Sequence, residues 1–149
     1  MNDLEFMREA LKEALAAYDK GEYPIGAVIV YQNEIVARGA NAEDSDLDPT
    51  AHAEIVAIRR ACKTLHAPQL RGCILYTTIY PCPMCESSII AAKIEKVVYG
   101  GRTFPFFREL KWGKPNLEIA GPMLDQECRG LFERKLREKG RTDILNHGR

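Results

Sequence analysis

The sequence lacks most of the features that would set it apart from an ordinary globular protein. No apolar run is long enough to make a membrane-spanning helix. The opening residues, Met1-Asn-Asp-Leu-Glu-Phe6, have neither the basic start nor the apolar stretch of a secretory signal, so a cytoplasmic protein is expected. Charge of one sign is not in excess either: 21 Lys and Arg balance 21 Asp and Glu, which excludes a strong overall field drawing the chain to nucleic acid or membrane. There is no internal repeat, low-complexity tract or Gly/Ser/Pro-rich linker, so residues 1–149 read as one domain. Cysteine is present, but five is an odd number, and in a reducing compartment the five are thiols or metal ligands before they are disulfides.

What is there begins with hydrophobic periodicity. Leu4, Met7, Leu11, Ala14, Leu15 and Tyr18 recur at helical spacing behind Asn2 or Asp3 as a cap, which predicts an amphipathic helix ended by Gly21. The β-branched and apolar runs Ala27–Tyr31 and Ile35–Ala37 flank Gln32-Asn33-Glu34 and predict a hairpin. His52–Leu65 places Ile55, Ile58 and Cys62 on one face of a second helix. Cys73–Thr78 reads as a buried strand, Pro83–Ala92 as a short helix with proline in its first turn, and Lys96–Tyr99 as a strand before Gly100-Gly101. Strand, helix, strand predicts a parallel crossover. A last helix runs from about Asp125 to Lys139, with Leu124, Cys128, Leu131, Phe132 and Leu136 as its apolar stripe. The sum is an α/β domain, a mixed sheet covered by helices on both faces. Arg129–Arg149 carries seven Lys or Arg against three Asp or Glu; this reads as a solvated helix face whose cations complement the negative end of the dipole.

Chemistry is concentrated in two short segments. Ala51-His52-Ala53-Glu54 and Pro81-Cys82-Pro83-Met84-Cys85 supply one imidazole and two thiols, a donor set zinc binds readily while keeping a fourth tetrahedral position open. Neither half is specific alone, since His-x-Glu is common and Cys-x-x-Cys also occurs in structural zinc sites and redox pairs. Their combination, H-x-E followed by P-C-x-x-C, is the stated signature of the zinc deaminases of nucleobases. His52, Cys82 and Cys85 are therefore the expected ligands of one Zn²⁺, and Glu54 the expected general acid and base. Both motifs lie at helix starts, where the dipole stabilises thiolates.

On these motifs, and on Pro24-Ile-Gly-Ala-Val-Ile-Val30, Asn41, Asp48-Pro-Thr-Ala-His-Ala-Glu-Ile55 and Leu75-Tyr-Thr-Thr78, the chain resembles the cytidine deaminase superfamily, in the branch holding guanine deaminase, cytosine deaminase and tRNA adenosine deaminase. The resemblance implies a three-layer α/β/α domain with a mixed sheet of about five strands. It also implies a homodimer, and a substrate-binding role for Asn41, eleven residues before His52, and for Ala53 beside it. By itself Asn41 reads as a loop residue bonding its own backbone.

Substrate choice would come from edge contacts and stacking surfaces. Phe104, Phe106, Phe107 and Trp112 crowd a segment with Pro105, Gly113 and Pro115, which suggests an aromatic flap with Phe104 and Trp112 against the substrate, or rings that pack a loop onto the core or a dimer partner. Three stretches depart from the relatives: Gly100-Gly-Arg-Thr-Phe-Pro-Phe-Phe107 replaces the Gly-Ala-Arg-Asp-x-Lys-x-Gly type stretch of tRNA deaminases, Tyr80 stands where many carry Glu, and Glu86-Ser87-Ser88 replaces a small pair. With the neutral net charge, these put a free nucleobase or nucleoside, guanine-like or cytosine-like, first as substrate, and a tRNA adenosine second. Two rival readings are a structural zinc site in an RNA-binding module, which would need a fourth ligand from Cys62, Cys73 or Cys128, and a redox pair at Cys82 and Cys85, which leaves His52 and Glu54 unexplained.

Overall fold

The computed structural model describes residues 1–103 and 116–141. The expected aromatic flap with Phe104 and Trp112 lies outside the described residues, as does the tail after Arg141.

Helix α1 (Asp3–Asp19) opens on Asn2 with a capping box, in which Asn2 Oδ1 accepts from Glu5 N at 2.9 Å and Glu5 Oε2 accepts from Asn2 N at 2.8 Å. Strands β1 (Gly26–Tyr31) and β2 (Glu34–Ala40) form the expected hairpin. Its turn is tighter than the sequence suggested. Gln32 and Asn33 both have positive φ, 50° and 62°, as a two-residue primed turn requires, so Glu34 already belongs to β2. Then come α2 (Ala53–Leu65), β3 (Cys73–Ile79), α3 (Pro83–Ala91), β4 (Lys96–Gly101), β5 (Glu118–Ala120) and α4 (Asp125–Glu138). The five strands are ordered β2-β1-β3-β4-β5, antiparallel on the β2 side of β3 and parallel beyond it, so the predicted crossover through α3 is present. Strand β5 was not expected; three residues, none of them buried, carry too little pattern to be read as a strand.

Alternation along β1 separates the layers. Val28 and Val30 face Phe6, Met7 and Ala10 of α1 and Cys128 of α4, while Ala27 and Ile29 face Ala53, Ala57 and Ala61 of α2 and Ile89 of α3. The sheet thus has two helices on each side, the three-layer arrangement expected.

Two glycines set how closely helices lie on the hairpin. A Cβ on Gly26 would sit 2.1 Å from Ala10 O of α1, and one on Gly39 would sit 2.4 Å from Ala53 O of α2. This close approach corrects the buried face of α1. Phe6, Met7, Ala10, Ala14 and Ala17 face the sheet, whereas Leu4 and Leu15 are 40% and 47% exposed, because backbone-to-backbone contact favours alanines over leucines. It also fixes α2, and with it His52 and Glu54, against β2.

Candidate metal centre and active site

The two motifs meet at the C-terminal end of β3, where α2 and α3 begin. His52 and Cys82 are the N-caps of those helices, with extended ψ of 153° and 168°, and neither side chain caps its own helix. Both are thereby left to face each other. Pro83 follows at the first helical position, where its missing N–H costs nothing. Cys85 lies one turn in, with no exposed surface.

The donor atoms of His52, Cys82 and Cys85 all lie within 4.8 Å of one another. Sγ of Cys82 is 3.6 Å and Sγ of Cys85 3.5 Å from Nδ1 of His52. Tetrahedral zinc, bound to sulfur at about 2.3 Å and to imidazole nitrogen at about 2.0–2.1 Å, separates the two donors by roughly 3.6 Å. The spacing fits. The donors also shift one another in opposite directions: hydrogen bonding to Cys85 and His52 brings the Cys82 thiol down to about 4 against the effect of burial, while the bond to Cys82, and then burial, pushes Cys85 up. A dication between them stabilises both thiolates together. Among the described residues no fourth protein ligand joins this set, and Cys73 and Cys128 are buried core thiols whose pKa values burial raises.

Nδ1 is the ring nitrogen turned to the thiols, and the other, Nε2, lies 3.4 Å from Oε1 of Glu43. A carboxylate there fixes the tautomer and ring orientation of a ligating histidine. Hydrogen bonding to Cys82 raises the His52 pKa against its partial burial. Asn41 is 3% exposed, and with its amide oriented toward acceptors its nitrogen lies 3.1 Å from the same Glu43 oxygen. Glu43 therefore joins the expected ligand to the expected substrate residue.

Glu54 is 3% exposed and its oxygen is 2.8 Å from the hydroxyl of Thr77 on β3. Burial raises its pKa, opposed by hydrogen bonds from Cys85 and Thr77. The Thr77 hydroxyl also lies 3.0 Å from Ile79 O. Having one proton, it donates to ionised Glu54, or to Ile79 O when protonated Glu54 donates to it. That exchange suits a carboxyl that takes and returns protons.

A cavity of about 200 Å³ opens over these groups. His52, Glu54 and Cys82 form its polar part; Tyr23, Ile25, Ile79, Phe132 and Leu136 its apolar wall; Glu43, Tyr80 and Arg141 complete it. Asn41 and Ala53 do not line it: Asn41 approaches through Glu43, and Ala53, the first residue of α2, is buried against the sheet. A larger cavity of about 550 Å³ opens at the other ends of β3 and β4, around Gly72 and Lys96, away from the donor set. Chemistry at the carboxyl ends of the strands is the rule in open α/β sheets.

The sequence reading missed Glu43 and Thr77. Thr77 was visible as a hydroxyl in a buried strand; Glu43 carried no pattern beyond its closeness to Asn41. Phe132 and Leu136 had been read only as core.

Residues 1–101 match the cytidine and deoxycytidylate deaminase zinc-binding region, and the chain belongs to this family. It is a zinc-dependent deaminase, a hydrolase of carbon–nitrogen bonds. It is 39% identical over 153 residues to the tRNA-specific adenosine deaminase of Bacillus subtilis (strain 168), covering 95% of this chain and 94% of that protein. It is 47% identical over 100 residues to the guanine deaminase of the same organism, covering 66% of this chain and 64% of that protein. A solved structure from work on A-to-I editing by tRNA:A34 deaminases superposes with a TM-score of 0.78 at 34% identity, covering 85% of this chain and 98% of that one.

Proposed function

We propose that the chain deaminates an adenosine presented by tRNA, adenosine and water giving inosine and ammonia. The observation that carries this is the extent of likeness: the match to a tRNA-specific adenosine deaminase runs over 95% of the chain, whereas the match to guanine deaminase covers 66% of it. Support thus moves from the free base, placed first on the three departures from the relatives and the neutral net charge, to the tRNA adenosine placed second. Net charge is a weak guide here because phosphate contacts are local; the excess of Lys and Arg after Arg129 is enough for a few of them.

In this reading His52, Cys82 and Cys85 hold zinc, which when bound lowers the pKa of a coordinated water toward about 7 and so supplies the nucleophile. Glu54 accepts the proton of the attacking water, passes it to the ring nitrogen beside the carbon under attack, and delivers a proton to the departing amine. Thr77 holds the carboxyl in place, and Glu43, which lines the cavity and is held from behind by Asn41, faces the ring edge. Tyr23, Ile25, Phe132 and Leu136 exclude bulk water and enclose a volume suited to one flipped base. We also read the active species as a homodimer, as the resemblance implies; light scattering giving monomer mass would contradict it.

The test is inosine and ammonia formation from an anticodon stem-loop carrying adenosine at the wobble position, beside guanine, cytosine and adenosine, with Glu54→Gln as control. Turnover of the stem-loop alone supports the proposal. Turnover of guanine alone would establish the second reading, which rests on 47% identity across the segment that builds the metal site.

A further inference from the structure

Tyr80 follows β3 directly and lines the cavity with Glu54 and Cys82. Three contacts hold it. Its backbone N–H donates to Gly101 O at 2.8 Å, its ring meets Tyr99 edge-on with centroids 5.0 Å apart, and the Arg102 guanidinium lies 4.1 Å above the ring centroid. Arg102 is exposed and also lies 5.7 Å from the Tyr99 centroid. A cation over an aromatic face is attractive, so the residue that follows β4 helps to hold the ring that follows β3.

A ring clamped in this way presents a rigid wall to whatever fills the cavity, at little conformational cost. The exposed Arg102 cation lies 4.1 Å from the centroid of a ring that lines the cavity, so it is one side chain removed from whatever fills it. An aromatic wall for the base and an arginine for the adjoining phosphate are the two parts of single-strand recognition. Resting on the tRNA reading above, we propose that Tyr80 and Arg102 form a specificity element selecting a nucleotide within a strand: Tyr80 walls the base, and Arg102 both positions Tyr80 and engages the neighbouring phosphate.

The experiment measures kcat and KM for the stem-loop across a salt series, with guanine in parallel, on zinc-loaded Tyr80→Ala, Tyr80→Phe, Arg102→Ala and Arg102→Lys. Tyr80→Ala should raise stem-loop KM roughly tenfold to a hundredfold with kcat little changed, and Tyr80→Phe should stay near the parent. Arg102→Ala should raise stem-loop KM and reduce the slope of log KM against log salt by about one, with Arg102→Lys restoring the slope. Zinc content and thermal midpoint of each variant report on folding, and a purely structural role for Arg102 would leave the salt slope unmoved. An unchanged slope in Arg102→Ala overturns the phosphate contact, and an unchanged KM in Tyr80→Ala overturns the wall. If the parent turns over guanine and not the stem-loop, the tRNA reading and the phosphate contact fall together. The Tyr80 wall is then judged on guanine: a raised KM upholds it, an unchanged KM removes it.

Discussion

The two halves of the cavity are built differently. The metal half comes from two motifs of three and four residues, His52 to Glu54 and Cys82 to Cys85, each at the start of a helix. The recognition half takes Tyr23 and Ile25 from before β1, Ile79 and Tyr80 from the end of β3, and Phe132 and Leu136 from α4, so it exists only when the ends of the chain have come together. Chemistry is written in local spacing, and recognition in topology. The family match, residues 1–101, holds the whole metal half together with Tyr23, Ile25, Ile79 and Tyr80, and stops before α4, which supplies Phe132 and Leu136.

The largest effects should come from the metal half and stay within it. Cys82→Ser is expected to lose zinc on dialysis and all turnover with it, while Glu54→Gln keeps zinc and lowers kcat by on the order of 10²- to 10⁴-fold. Metal analysis beside single-turnover rates checks this; loss of zinc in Glu54→Gln would mean that the carboxyl is structural. Next comes Phe132→Ala, which removes a ring that is 2% exposed and stacked on Tyr23. It should cost about 3–5 kcal/mol of stability and raise KM, with zinc retained. Should denaturation of the zinc-loaded variant reveal that zinc is lost as well, the two halves are not separable.

Much of the metal half was legible beforehand because its information is short-range. Two spacings name the three residues whose donor atoms the fold brings within 4.8 Å of one another, and helix periodicity together with Pro83 places them at helix starts. The β1–β2 hairpin and the parallel β3–β4 crossover followed from the pattern, whereas the pairing of β1 with β3 and the short β5 did not. Less was legible where packing between distant residues decides the outcome: the alanine face of α1 depends on Gly26 coming within contact of Ala10, and the position of α2 on Gly39 meeting Ala53. Glu43 and Thr77 were missed for the same reason, since their roles come from which atoms they face across the fold. Phe132 and Leu136 were found as a helix stripe, but periodicity cannot say that a stripe borders a cavity.

Glu43 tests the boundary between the halves, since it approaches His52 Nε2 at 3.4 Å and Asn41 at 3.1 Å. Glu43→Ala should weaken zinc binding roughly tenfold to a hundredfold, the usual effect of removing a carboxylate behind a ligating histidine. It should also raise KM at saturating zinc. Competition with a chelator measures the first and steady-state kinetics the second; a change in one without the other would assign Glu43 to a single half.

The smallest effect concerns how α4, which carries the recognition wall, is tied down. Tyr18 of α1 donates to Glu138 of α4, and this bond, ahead of the nearby Lys135 and Arg134 charges, holds the Glu138 carboxyl below its ordinary range. A lowered folded pKa gives stabilisation that is present above the unfolded value near 4.5 and is lost as pH falls through the folded one. Glu9, lowered mainly by Lys12 and then by Arg38, acts in the same direction on the other side of α1. Glu138 is exposed and Glu9, though half-buried, is paired with solvent-exposed cations, so each contribution is small and is reduced by salt. Zinc ligands also protonate in acid, so the contribution is read from the difference between Tyr18→Phe and the parent, in which the metal's effect cancels. Thermal midpoints of the two proteins should lie apart near neutral pH and converge as pH falls below the ordinary carboxylate value of 4.5 and Glu138 protonates. A constant gap across that range would mean that Tyr18 holds α4 through its ring, with Lys135 Nζ 4.0 Å from the ring centroid, and that its hydroxyl adds nothing.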